Sequence, residues 1–184
     1  MNGPIEVIIG VTPEMIRNWG WFLAFGIILV LLGVTAVVRA FKATVVSMVF
    51  FGWILIFSGI IEFVHAFMVG KWAGFFLHLL VALLFGIAGA LMAFKPVISA
   101  EAVTFVMSIF FLVGGLYLLF GSIWSHAAGW GWGAANGVIS SILGILLLMQ
   151  WPVSGLWVVG LFVGIDLIFY GSAWIAMALT LHKM

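Results

Sequence analysis

The 184-residue sequence predicts an all-α fold: an integral membrane helical bundle of six transmembrane helices, built as three tandem, parallel helical-hairpin repeats of about 56 residues. Three observations carry this. Apolar residues make up 67% of the chain and charged residues 6%, far outside the balance of a soluble domain. The apolar runs reach the length of about 20 residues that crosses a hydrocarbon core at 1.5 Å per residue. A pattern of small residues also recurs at a fixed interval along the chain.

Taken in order, residues 1–18, MNGPIEVIIGVTPEMIRN, lack a basic start and carry Glu6 and Glu14, so they do not read as a cleaved signal peptide. Their apolar stretch, residues 5–11, reads as an interfacial segment. Spans follow at 19–38, 43–69, 72–94, 101–124, 132–149 and 153–181. The breaks fall at Arg39 with Lys42, at Gly70 and Lys71, at Lys95 and Pro96, from His126 through Gly131, and at Trp151 and Pro152. Proline disfavours continuation of a helix, and lysine and arginine reach out to the interface. The spans lack the strict alternation of a lipid-facing barrel strand. Together they form a single transmembrane domain over 1–184, with no room for a soluble one.

An even number of spans places both ends on one side with Arg17, Lys71 and Lys183, opposite Arg39, Lys42 and Lys95. The basic residues tie, so the positive-inside rule does not orient the chain, and cytoplasmic termini are a preference only.

Gly59, Gly115 and Gly171 recur at one constant interval, and each follows a small residue seven positions earlier: Gly52, Ser108 and Gly164. The segments GWILIFSG, SIFFLVGG and GIDLIFYG align without a gap, and the same offset relates Gly33 to Gly89 and Pro96 to Pro152. The copies fall at about 19–70, 72–126 and 130–182. Two spans per copy make these parallel repeats, unlike the inverted repeats of many transporters. A pseudo-threefold arrangement is expected. Gly52, Gly59, Gly115, Gly160, Gly164 and Gly171 are then helix-packing residues, because in lipid helices associate through the close contact that glycine permits.

With these repeats, their first-helix endings GALMAFKP and GILLLMQWP, and second-helix segments such as GWILIFSG, the chain resembles the HdeD-type acid-resistance membrane proteins, which carry a short hydrophobic repeat of unknown function. The resemblance runs from Trp19 to about Met177; the first copy departs from it with Arg39-Ala40-Phe41 where a proline is expected. It implies a bacterial cytoplasmic (inner) membrane protein linked to stress or acid tolerance, with no established reaction and no catalytic residues to carry over.

Few ionisable residues lie within the spans. Ser58, Glu62 and His65 stand at i, i+4 and i+7, one stripe of the second span. Glu62 precedes Gly70 by eight residues and His78 follows it by eight, so the two share a depth of roughly 12 Å and are placed to face each other. An ionisable group in hydrocarbon costs about 3 kcal/mol on insertion scales, which a partner reduces. Three roles are open: a structural pair between helices, a contact with a partner chain or ligand, and proton or ion handling. Asp166, in the last span, points away from the face of Gly160, Gly164 and Gly171. The repeat-equivalents of Glu62 are Leu118 and Trp174, and those of Asp166 are Ile54 and Phe110, so each polar residue is unique to one copy.

The remaining chemistry is bounded by composition. With no cysteine there is no disulfide, thiolate metal site or thiol nucleophile, and a net charge of +1 offers no basic footprint for nucleic acid. Glu62 to His65 is an E-x-x-H spacing, but a carboxylate di-metal site asks for two such copies and further glutamates. No metal or cofactor is predicted, since phenylalanine in spans and tryptophan at interfaces are ordinary. The expected function is non-enzymatic: a structural or stress-protective role through intramembrane contacts, with lipids and other membrane proteins or a homo-oligomer as partners. The alternatives are an accessory subunit of a larger membrane complex and a small proton or ion pathway.

Overall fold

The computed structural model describes residues 17–68, 72–125 and 129–182. The interfacial segment at 5–11, the break at Gly70 and Lys71, and His126 lie outside the described residues. The helices are α1 (Trp19–Val38), α2 (Ala40–Met68), α3 (Trp72–Phe94), α4 (Pro96–Ser125), α5 (Trp130–Met149) and α6 (Val158–His182), with a 3-10 turn at Val153–Leu156. Among the described residues these six helices are long and apolar enough to span a membrane, and there is no strand.

Three boundaries differ from the sequence reading for identifiable reasons. Helix α2 begins at Ala40, so Lys42 sits in its first turn and the break from α1 is Arg39 alone. Helix α4 begins at Pro96, five residues before Glu101. A proline stops the helix before it but suits the first position of a new one, where its fixed φ helps and its missing N–H is not needed. Between α5 and α6 the chain tightens into the 3-10 turn, whose Ser154 hydroxyl donates to the Leu147 carbonyl at 2.9 Å. Arg39, Lys95 and Trp151 occupy these three breaks and stand at equivalent positions of the repeat.

The helices divide into two compact units, one holding α1 with α6 from Leu161 onward and the other running Ala40–Gly160. In the first unit α1 and α6 pack antiparallel: a Cβ added at Gly33 would lie 2.7 Å from the Gly164 carbonyl oxygen, and one at Gly26 would lie 2.8 Å from that of Gly171. In the second, α2 packs on α3 and α4 on α5 in the same way. An added Cβ at Gly89 would meet the Gly52 oxygen at 2.7 Å, at Gly144 the Ser108 oxygen at 2.8 Å, and at Gly137 the Gly115 oxygen at 2.7 Å. Backbones this close leave no room for a side chain between them, and close van der Waals contact of this kind is what associates helices in lipid. The close-packed pair is thus offset by one helix from the repeat in the sequence: second helices pair with first helices of the next copy, and the last second helix with α1.

Within the unit Ala40–Gly160, three repeat-equivalent segments also meet: the start of α2, the start of α4, and the 3-10 turn. Met48, Ala100 and Val158 are fully buried there. Thr44 accepts the Gly160 N–H at 2.9 Å, and the Trp151 indole N–H donates to the Glu101 carbonyl at 3.1 Å. Thr104 stands at the position equivalent to Met48; its hydroxyl is buried and finds no partner among the described residues.

Two expectations follow. Gly89→Ala drives a methyl group into the α2 backbone and should destabilise the protein by about 1–3 kcal/mol, whereas Gly86→Ala, one turn earlier with open space around it, should not. Thermal unfolding of both variants in one detergent checks this, and equal effects would overturn the seam. Thr104→Val keeps the shape and removes an unpaired buried hydroxyl, so it should raise stability, by about 1 kcal/mol, in the same measurement.

Candidate functional site

The polar residues of the α2–α3 pair are positioned by its glycine seam. Gly52, Gly59 and Ala66 are buried along the α3-facing side of α2, and Glu62, three residues beyond Gly59, lies on one flank of that side. On α3, Ala82 and Gly89 occupy the seam and His78, four residues before Ala82, lies on the same flank. Glu62 is six residues from the end of α2 and His78 six from the start of α3, so antiparallel packing brings them level.

They meet. His78 Nδ1 and Glu62 Oε2 are 2.8 Å apart, the ring nitrogen donating to the carboxylate, with the two side chains 33% and 30% exposed. His65, on the next turn of α2, stacks its ring on His78 with centroids 5.5 Å apart and planes 11° from parallel. The structure therefore joins three of the residues singled out in the sequence. Ser58 is half-buried a turn from Glu62 and makes no hydrogen bond to a described residue. Asp166 belongs to the other unit, where it is exposed and likewise makes no hydrogen bond or ion pair with a described residue.

The opposite flank of the same seam is an apolar groove of about 460 Å³ between Ile56, Ile60 and Phe63 of α2 and Leu79, Leu83 and Ala90 of α3. Polar and apolar flanks are thus separated by the width of one helix contact. At the membrane-boundary end, Phe67 packs edge-on against Phe75, which also meets Trp72, closing the pair with aromatic rings above the histidines. Among the described residues no group of three histidine or acidic side chains is placed to hold a metal ion.

The repeat gives this contact counterparts that the sequence reading did not pair. Moving two repeat intervals forward from Glu62 and one back from His78 leads to Trp174 and Phe22, which face each other across the α1–α6 seam as stacked rings with centroids 5.6 Å apart and planes 7° from parallel. The same place in two helix pairs thus holds a carboxylate with an imidazole in one and an indole with a phenyl ring in the other. The offset that aligned the glycines would have revealed this had it been applied to His78.

The chain matches the model of a family described as a short repeat of unknown function (DUF308), twice: over residues 24–94 and over 80–149. The two matches together cover 24–149, most of the chain. The chain belongs to this family. The matches begin one full repeat interval apart, at 24 and 80, and end one position less than that apart, at 94 and 149. This agrees with the packing, in which Gly144 of α5 takes the place of Gly89 one position short of the full interval. Membrane proteins of the HdeD type carry this repeat. No curated protein and no solved structure matches the chain.

A double-mutant cycle on Glu62→Ala and His78→Ala should give a coupling energy of about 1 kcal/mol, within the range of intramembrane polar contacts. Unfolding in detergent at fixed pH measures it, and additive single effects would show the contact to be energetically idle.

Proposed function

We propose that this DUF308 membrane protein acts without catalysis, through contacts made inside the bilayer, and that it serves tolerance of acid or a related stress in a bacterial cytoplasmic membrane, with both termini on the cytoplasmic side. The observation that carries the reading is the 2.8 Å contact between Glu62 and His78 with His65 stacked on it. The carboxylate is engaged across a helix seam instead of lining a cavity, so its chemistry is that of a clip between α2 and α3. The resemblance to HdeD-type proteins supports the physiological side of the reading. The large apolar outer surface, on which Phe57, Phe67 and Trp72 are each more than half exposed, is in contact with lipid.

The reading is checked by survival of acid challenge in host cells from which the protein has been removed. Survival should fall, return with the wild-type chain, and return only in part with Glu62→Ala expressed at the same level. Equal survival with and without the protein would remove the stress-tolerance role. Proteoliposomes supply the second check: they should hold a pH gradient as long as protein-free vesicles. A leak slowed by Glu62→Gln would instead make the clip part of a proton path.

A further inference from the structure

Along α6, two stripes of residues step by seven on nearly opposite faces. Gly164, Gly171 and Ala178 are buried; Gly164 and Gly171 form the seam with α1. Asp166, Ala173 and Thr180 are offset from them by two residues, a turn of about 200°, and all three are exposed. The carboxyl group of Asp166 stands about 12 Å from the start of α6 at Val158, inside the hydrocarbon region, where an ionisable group needs a partner.

The repeat shows what this surface ordinarily carries. The corresponding positions are Ile54, Ile61 and Met68 in α2, which are 45%, 65% and 77% exposed, and Phe110, Tyr117 and Trp124 in α4, at 73%, 78% and 89%. Both copies turn bulky hydrophobic or aromatic side chains to lipid at all three places. The third copy replaces them with an acid, a methyl group and a small hydroxyl residue. Bulk is withdrawn and a hydrogen-bonding group is introduced on the same stripe, the opposite of what lipid contact selects.

We propose that this stripe of α6 is an interface with a second copy of the chain, the two α6 helices crossing near Ala173 about a two-fold axis along the membrane normal. Two features identify the occupant. Copies inserted in the same direction present Asp166 at the same depth, so a two-fold axis brings carboxyl to carboxyl without any coincidence of sequence. Two carboxyl groups are also mutually complementary: a protonated one donates its O–H while the other accepts, so each supplies what hydrocarbon cannot. Ala173, one heptad further on, leaves room for the helices to approach, and Tyr170 flanks the contact with a ring that is 65% exposed. The inference does not rest on the stress-tolerance reading.

The chain has no cysteine, so single-cysteine variants report contacts cleanly. Ala173→Cys and Ile61→Cys, at equivalent positions of α6 and α2, are oxidised in native membranes, and the products are identified by mass spectrometry. The expected result is a homodimer from Ala173→Cys in clear excess over Ile61→Cys. Adding Asp166→Leu should cut its yield about fivefold, the scale of a pair of intramembrane hydrogen bonds. Asp166→Asn, whose amide also pairs with itself, should keep it. Asp166→Leu places an aliphatic residue where α2 has Ile54, so the variant is expected to fold, and its thermal unfolding checks that. Equal yields from the two cysteine sites, a yield indifferent to Asp166→Leu, or a product joined mainly to an unrelated protein would each overturn the proposal.

Discussion

The structure depends on how closely two helix backbones approach in a solvent that gives no reward for hiding apolar surface. Lipid chains contact leucine and phenylalanine as well as another helix does, so van der Waals contact and the occasional polar contact must hold the spans together. In this chain the contact is concentrated at glycines facing carbonyl oxygens. Gly33 meets Gly164, Gly89 meets Gly52, and Gly144 meets Ser108, so each helix pair is closed by one local solution used three times. Everything polar in the spans is placed relative to those seams. Glu62 reaches His78 because Gly59 and Ala82 let α2 and α3 draw together.

Much of this was legible in the sequence, and the physical reasons explain what was not. The spans follow from length and hydropathy, and α1 and α3 fall at 19–38 and 72–94 as read. The starts of α2 and α4 were read late, because Lys42 and Pro96 look like breakers when they in fact occupy first turns, where a cation can reach the interface and a proline needs no hydrogen bond. The depth argument that placed Glu62 opposite His78 relied only on antiparallel packing about a short connection, so it held for this pair. The pairing of α1 with α6 is a contact between residues far apart in sequence, and no local signal specifies it. The third copy hid its first-helix glycine because Gly144 sits one position short of the repeat interval.

The repeat separates what packing demands from what it merely permits. Where the copies agree, at 52, 108 and 164 or at 59, 115 and 171, the residue is small because a backbone lies against it. Where they disagree, the fold tolerates the difference. The place held by Glu62 and His78 in one pair is held by Trp174 and Phe22 in another, so a stacked aromatic pair can stand where the carboxyl–imidazole contact does. The acid and its histidine are therefore not required to build a helix pair of this kind.

That conclusion bears on every ionisable residue in the spans. A carboxyl group in hydrocarbon costs about 3 kcal/mol on insertion scales, and aliphatic or aromatic residues stand at the equivalent sites without that cost. For Glu62 the chain itself supplies the compensation through His78, a polar contact where the equivalent place holds two apolar rings. For Asp166 the described residues supply none, and the residues sharing its stripe have become small where the other copies are bulky. A residue that folding does not need and that no described residue satisfies is what the proposed contact between two copies accounts for. The third repeat has therefore exchanged bulky lipid-facing side chains for an acid and two small residues, the change the proposed α6 interface requires.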